Sequence, residues 1–144
     1  MTRAALAPML ALLCGLGACG QPDVLTEEGA EWVARGSPEA IAAAVEAAPR
    51  ADTHPAEALA DALARAMQVA PERVLPLVGT NERLFQAGAI CLPQGWDDTP
   101  QQRSASLARS RASISAVKDS ALARQKKACL DEIARAESES RGAE

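Results

Sequence analysis

The chain has 144 residues, with 19 acidic and 15 basic side chains and a formal net charge of −4 at pH 7. This length predicts one small domain. A modestly acidic chain has no general attraction for phosphate backbones, which argues against a nucleic-acid partner. Alanine accounts for 33 residues. Because alanine has the highest intrinsic helix propensity, the composition favours an all-α fold.

The amino-terminal segment has the three-part layout of a secretory signal. Its only charge is Arg3, an apolar run follows from Ala4 to Leu13, and small residues come after it. The apolar run is shorter than the roughly 20 residues that a membrane-spanning helix needs. We therefore expect residues 1–18 to be a signal peptide that is absent from the mature domain.

This segment ends in the sequence LGAC, residues 16–19. The four residues resemble the lipobox of bacterial lipoproteins, a family in which the chain is cleaved just before the cysteine and the cysteine is acylated. The resemblance implies that Cys19 is the lipidation site. Cys14 fits the pattern less well, because two leucines precede it where the lipobox has small residues. Two alternatives stay open: an ordinary cleaved signal with a coincidental cysteine, and a soluble protein with an apolar start.

The resemblance also implies a location. Two or three acyl chains, palmitate among them, would anchor the protein stably, whereas one chain gives only weak and reversible binding. An aspartate after the lipidated cysteine tends to retain such proteins in the inner membrane, and Gly20 stands there instead. The expected location is the envelope of a Gram-negative-type bacterium, at the outer membrane facing the periplasm. Residues 19–25 would form a lipidated tether, whose extended reach from Gly20 to Leu25 is about 20 Å.

Residues 26–136 read as a helical domain, a small bundle of about five to six helices with short loops. Ser37 with Pro38, and Thr99 with Gln102 three residues later, are typical helix starts. Pro76 predicts a break in the short helical turn that begins at Pro71. The predicted elements, in chain order, cover residues 26–36, 37–49, 55–70, the turn from residue 71, 81–90 and 99 to about 136. The apolar stripe of the second predicted helix consists of Ile41, Ala44, Val45 and Ala48.

The last element is unusually long, because no proline or glycine occurs between Gln101 and Gly142. An uninterrupted helix of about 37 residues would be about 55 Å long. We expect such a helix to bend, fray or protrude from a domain of this size. The polar residues 137–144 predict a disordered tail.

Two cysteines, Cys91 and Cys129, remain in the domain. An even number of cysteines in an oxidising compartment predicts a disulfide, which would stabilise the fold by roughly 4 kcal/mol in the loop-entropy model. The alternative is two buried free thiols. A zinc site is a poorer reading, because these cysteines and the single histidine do not complete a common ligand set. We therefore expect no metal and no cofactor.

Catalytic patterns are scarce. His54 lies in the first turn of a predicted helix, where we expect an exposed side chain, and no known catalytic motif surrounds it. Trp96 lies in a loop next to Asp97 and Asp98. The tryptophan could contact a partner or pack under the loop beside the disulfide. The two acids could form an acid/base pair, but acids directly before a helix more often act only at the helix start.

Three functions follow from these residues. The first is a membrane-anchored, non-catalytic interaction or accessory module of the cell envelope, with lipid bound through Cys19 and a protein partner contacted by residues 96–98. The second is an inhibitor or immunity-type protein that neutralises a periplasmic toxin or enzyme. The sequence CLPQG, residues 91–95, faintly resembles a Cys-x-Pro-x-Gly element of helical periplasmic immunity proteins. The third is a hydrolase that uses Asp97 or Asp98.

Overall fold

The computed structural model describes residues 20–80, 83–95 and 98–142, and no strand occurs among them. The all-α class is confirmed, and two of the helices, α4 and α5, are single turns. The helices are α1 (Glu27–Ala34), α2 (Pro38–Ala47), α3 (Thr53–Val69), α4 (Pro71–Val74), α5 (Ala87–Ile90), α6 (Pro100–Ala116) and α7 (Ala123–Gly142). Short 3₁₀ turns cover Ala48–Arg50, Leu75–Leu77, Arg83–Phe85 and Ser120–Leu122.

Three predicted helix starts are confirmed by their hydrogen bonds, whereas the predicted helix over residues 81–90 is wrong, because an extended Gln86 separates the turn Arg83–Phe85 from α5. The Thr26 hydroxyl accepts a bond from the third residue of α1, and the Ser37 hydroxyl does the same in α2, both at 3.2 Å. Thr99 and Gln102 form the complete capping box at the start of α6. These bonds satisfy amide donors that the first turn of a helix leaves without partners. Each joins residues three positions apart, which explains why the sequence predicts them.

α3 is the central helix of the bundle, with Leu59, Leu63 and Met67 fully buried. α1 packs on α3 and runs parallel to it. Thr26 lies beside His54 at the start of α3, and Gly36 lies beside Ala70 at its end. α2 returns the chain between the two parallel helices. The bundle therefore has two ends, one at the first residue of α3 and the other at its last residue.

The predicted stripe of α2 is wrong at one position. Val45 is 38 % exposed, whereas Ala40, Ala44 and Ala47 are almost fully buried. The face of α2 that meets the core is therefore rotated toward alanines. Small side chains let α2 approach its neighbours closely, and the larger Val45 is left at the surface.

The expected tether is shorter than residues 19–25, because Val24 is only 5 % exposed. The Asp23 carbonyl oxygen accepts a 2.6 Å bond from the Thr26 hydroxyl and a 3.0 Å bond from its amide. This turn lies so close to α1 that a Cβ atom at Gly29 would overlap with the backbone of residues 23 and 24. The packed domain thus begins at Asp23, and only glycine fits at position 29.

The long carboxy-terminal segment is divided into two helices. Backbone at Val117 and Asp119 is extended, and α6 and α7 pack against each other as an antiparallel hairpin. Lys126 stabilises the turn, because its ammonium group donates to the carbonyl oxygens of Ser115 and Val117 at 2.7 and 2.9 Å. Folding back buries both Ile114 and Ile133 completely, which one straight helix protruding from the domain would not do.

The predicted disordered tail also differs from the structure, because α7 continues to Gly142. Glu137 binds Arg111 of α6, and Ser138 and Ser140 donate hydrogen bonds to carbonyl oxygens of the preceding turn. Arg111 of the antiparallel helix α6 thus pairs with the polar end of α7 and stabilises it as a helix. Residues 143 and 144 lie outside the described part of the chain.

Candidate functional site

The disulfide predicted from the cysteine count joins Cys91 and Cys129, whose Cα atoms are 5.3 Å apart. Cys91 ends α5 and Cys129 lies within α7, and both side chains are almost completely buried. The bond connects the single-turn helix α5 to the hairpin of α6 and α7. It therefore fixes the starting point of the loop that follows Cys91.

This loop runs over the hairpin before α6 begins. Residues 92–95 are half-buried, and the Gln94 amide group donates a 3.4 Å hydrogen bond to the Leu92 carbonyl oxygen. The Asp98 amide donates to the Gly95 carbonyl oxygen at 3.3 Å. The disulfide at one end and the Thr99 capping box at the other hold the loop between two fixed points.

A groove of about 270 Å³ lies between the loop and the hairpin. Its walls come from the loop, α6 and α7, and Arg103 is the only charged side chain among the described residues that line it. The lining residues are Leu92, Pro93, Gln94, Gly95, Arg103, Leu107, Ala136 and Ser140. A mainly apolar groove with one cation and a few amide and hydroxyl groups can accept a small apolar side chain and an anionic or carbonyl group.

Only one of the predicted loop contacts can be placed. Asp98 is half-buried, its carboxyl group lies against Gly95, and it does not line the groove. Trp96 and Asp97 lie outside the described residues, as does Cys19. Sequence reasoning missed Arg103 and Ser140, because their position beside the loop arises only when α6 and α7 fold together. No local signal in the sequence marks them.

A larger cleft, of about 430 Å³, lies where the first half of α3 meets the 3₁₀ turns Ala48–Arg50 and Arg83–Phe85. Its floor is made of alanines, including Ala48, Ala56 and Ala60, and the charged side chains of Glu57 and Arg83 stand at its edge. Neither exposed charge is held in place by an ion pair within the described residues, so nothing fixes its position for binding a particular ligand. The groove beside the loop is therefore the better candidate for a binding site, because the disulfide fixes the position of the loop that forms one of its walls.

Among the described residues, Arg111 in the hairpin is the one titratable group whose pKa departs clearly from its ordinary value. Arg111 donates two hydrogen bonds to the Glu137 carboxylate, at 3.2 and 2.6 Å. These bonds raise the pKa of the Arg111 guanidinium above its ordinary value, while partial desolvation opposes the change. A raised pKa stabilises the fold at every pH below the ordinary arginine value, and this contribution is lost only above it. Arg111 is therefore a structural cation, charged at all physiological pH values.

Two further findings, on metal binding and on membrane spans, apply to all of the described residues. Among residues 20–80, 83–95 and 98–142, no group of three or more His, Cys, Asp or Glu side chains is arranged to hold a metal ion. None of the helices in these ranges is long and apolar enough to span a membrane. His54, the single histidine, is exposed at the start of α3 as predicted.

Comparison with known proteins adds no family. No protein-family model, curated protein or solved structure matches this chain. The function must therefore be argued from the residues and their geometry.

Proposed function

We propose that this protein is a lipid-anchored component of the bacterial cell envelope, in which the helical domain acts as a non-catalytic interaction or accessory module. The observation that carries the proposal is the LGAC sequence at residues 16–19, at the end of a signal-like segment. The packing of Val24 supports it, because the folded domain begins only a few residues after Cys19. The proposed location is the outer membrane, facing the periplasm.

The short distance along the chain between Cys19 and the first packed residue limits how far the domain can lie from the membrane. Three residues lie between Cys19 and Asp23, and the stretch from Cys19 to Asp23 reaches at most about 14 Å when fully extended. A lipid chain on Cys19 would hold the start of α1 close to the membrane surface. The domain would then have a membrane-facing end and a distal end.

The proposed partner contact is the loop that follows the disulfide. Residues 92–95 line the groove, and residues 96–98 continue directly from them. Aromatic side chains beside well-packed grooves are frequent anchors in protein interfaces. Trp96, Asp97 and Asp98 are therefore the proposed contact residues, and Arg103, which lines the groove, is the cation that would bind an anionic group of the partner.

The anchor is tested by labelling cells with an alkynyl palmitate analogue and separating membrane and soluble fractions. Cys19→Ala should abolish both the label and the membrane association. Cys14→Ala is the matched control, since it removes a thiol from the same segment, and it should retain both. If Cys19→Ala still carries the label or stays in the membrane fraction, the anchor is at another position.

The interaction role is tested by crosslinking in native host cells followed by affinity capture. The full-length protein should retain one stoichiometric partner, and Arg103→Glu should weaken this capture while Arg50→Glu, an exposed charge reversal on another face, should not. A captured toxin or degradative enzyme would identify the alternative inhibitor or immunity role. Capture of no partner by the anchored protein would contradict the interaction role and favour a small ligand or a reaction at Asp97 or Asp98.

A further inference from the structure

Charge is distributed unequally between the two parts of the bundle. Residues 20–80 carry ten acidic and four basic side chains, a net charge of −6, whereas residues 99–142 carry nine basic and five acidic ones, a net charge of +4. The first range contains α1 to α4, and the second is the hairpin of α6 and α7. The modest charge of the whole chain thus conceals an acidic side and a basic side.

The turn of the hairpin concentrates exposed cations. Lys118 and Arg124 are exposed, and no ion pair joins either of them to an acidic residue in the described ranges. The carboxylate of Asp119, between them, keeps its charge but accepts a 2.9 Å bond from the Ala121 amide and forms no ion pair with either cation. Lys127 pairs with Asp131 at 2.6 Å. Lys118 and Arg124 are therefore the cations that remain available to a ligand.

A cleft of about 370 Å³, lined by five apolar residues and by Glu72, Arg73 and Ser113, lies next to this turn. It is formed where the end of α3 and α4 meet the end of α6. Val69 lines it and is 67 % exposed, which is more than any other large apolar side chain in the described ranges. The other apolar lining residues are Ala70, Pro71, Ala116 and Val117. A single exposed valine is ordinary, but here it lies in a concave, partly apolar surface, and Lys118 directly follows the lining residue Val117.

This cleft and the start of the domain lie at opposite ends of α3. Val117 is adjacent to residues 69–73, whereas Thr26 is adjacent to residues 54–58. α3 has 17 residues, which corresponds to about 25 Å along its axis. If Cys19 is the anchor, the cleft faces away from the membrane, so this step rests on the proposed function.

We infer that this cleft, the distal cleft, is a docking site for an acidic segment of another protein. The segment places an aliphatic side chain against Val69 and Val117, and its carboxylates contact Lys118 and Arg124. Glu72 and Arg73 also line the cleft, and their opposite charges leave no net attraction for carboxylates near α4. The acidic residues of the segment are therefore grouped toward the hairpin turn rather than spread along its length. Complementary charge of this kind orients the segment and speeds its association.

The test places the photoreactive residue p-benzoylphenylalanine in the full-length protein in native host cells, in place of Val69. The matched control carries it in place of Val45, which is exposed on α2, away from the hairpin. After irradiation, crosslinked peptides are sequenced by mass spectrometry. We expect a crosslink at position 69 to an acidic peptide of another protein, and none of the same peptide at position 45.

Charge-reversed variants complete the experiment. Lys118→Glu combined with Arg124→Glu should lower the yield of this crosslink at least about fivefold, because close interfacial charges then repel. Arg50→Glu should leave the yield unchanged. A lipid, a second copy of this chain, a peptide without grouped acids, or no crosslink at position 69 would each overturn the inference. Fractionating the same cells shows separately whether the anchor has failed, because membrane association does not depend on this cleft.

Discussion

The two helices that pack against α3 from different sides do so through different chemistry. The buried face of α1 consists of Gly29, Ala30 and Val33, which have no polar side-chain atoms. The buried face of α6 includes two serines, Ser106 and Ser110, in addition to its aliphatic residues. Apolar burial contributes in proportion to area, whereas a buried hydroxyl adds a desolvation cost that only a hydrogen bond offsets.

This difference indicates how each side is held in place. α1 is held by packing, by the fixed turn before it and by a solvent-exposed ion pair, in which Arg65 of α3 donates to Glu31 at 2.7 Å. The hairpin of α6 and α7 has a more polar interface with α3. The disulfide connects the hairpin to the end of α5, and the Arg111–Glu137 ion pair connects α6 to α7. We therefore expect that breaking the disulfide loosens mainly the hairpin, and that core truncation loosens mainly α1.

The largest expected effect comes from removing the disulfide. Cys91→Ala combined with Cys129→Ala opens a loop of 38 residues and should lower the free energy of unfolding by about 4 kcal/mol in the loop-entropy model. Chemical denaturation measures this change, and hydrogen exchange should show lost protection in α6 and α7 before α1. Equal loss of protection in all three helices would contradict the comparison.

Truncating the apolar side should have the next largest effect. Val33 is fully buried, so Val33→Ala should lower the free energy of unfolding by about 2 kcal/mol through lost burial and a small cavity. Val45→Ala is the matched control, and it should change stability by less than about 0.5 kcal/mol because this valine is at the surface. Equal losses in the two variants would mean that α1 does not depend on packing.

The helix starts could be predicted because their signals are local. A capping hydroxyl and the amide it binds are three residues apart, so Ser37 and Thr99 show the start of a helix without knowledge of the fold. The cysteine count predicted the disulfide for a similar reason, since only two cysteines remain in the domain. The exposed position of His54 also followed from its place in the first turn of α3.

The hairpin and the groove could not be predicted in the same way. No proline or glycine marks the break near Val117. The chain folds back there because doing so buries residues of both helices at once. Asp119 was the signal that could have been used, because it caps the short 3₁₀ turn before α7. Arg103 and Ser140 meet only after this turn forms, so the groove is a property of the fold.

A smaller effect should come from the serines at the interface between α3 and α6. Ser110 is fully buried and its hydroxyl has no hydrogen-bond partner among the described residues. Ser110→Ala should therefore raise the free energy of unfolding by about 1 kcal/mol, because it removes an unsatisfied polar group. The neighbouring Ser113 donates a 3.1 Å bond to the Met67 carbonyl oxygen, so Ser113→Ala should lower it by about 1 kcal/mol. Denaturation curves that shift in the same direction for both variants would contradict this assignment.

The smallest expected effect concerns the ion pair between the two helices of the hairpin. Arg111 and Glu137 form two hydrogen bonds, but their side chains are 40 % and 32 % exposed, so solvent screens the attraction. Arg111→Ala should lower the free energy of unfolding by about 0.5 kcal/mol, and the difference should shrink as salt is added. A double-mutant cycle with Glu137→Ala isolates the pair from the loss of each side chain alone. A coupling energy near zero at low salt would leave the disulfide and the shared apolar core as the connections that hold the hairpin. A measurable coupling would show instead that charge also holds the two helices of the hairpin together.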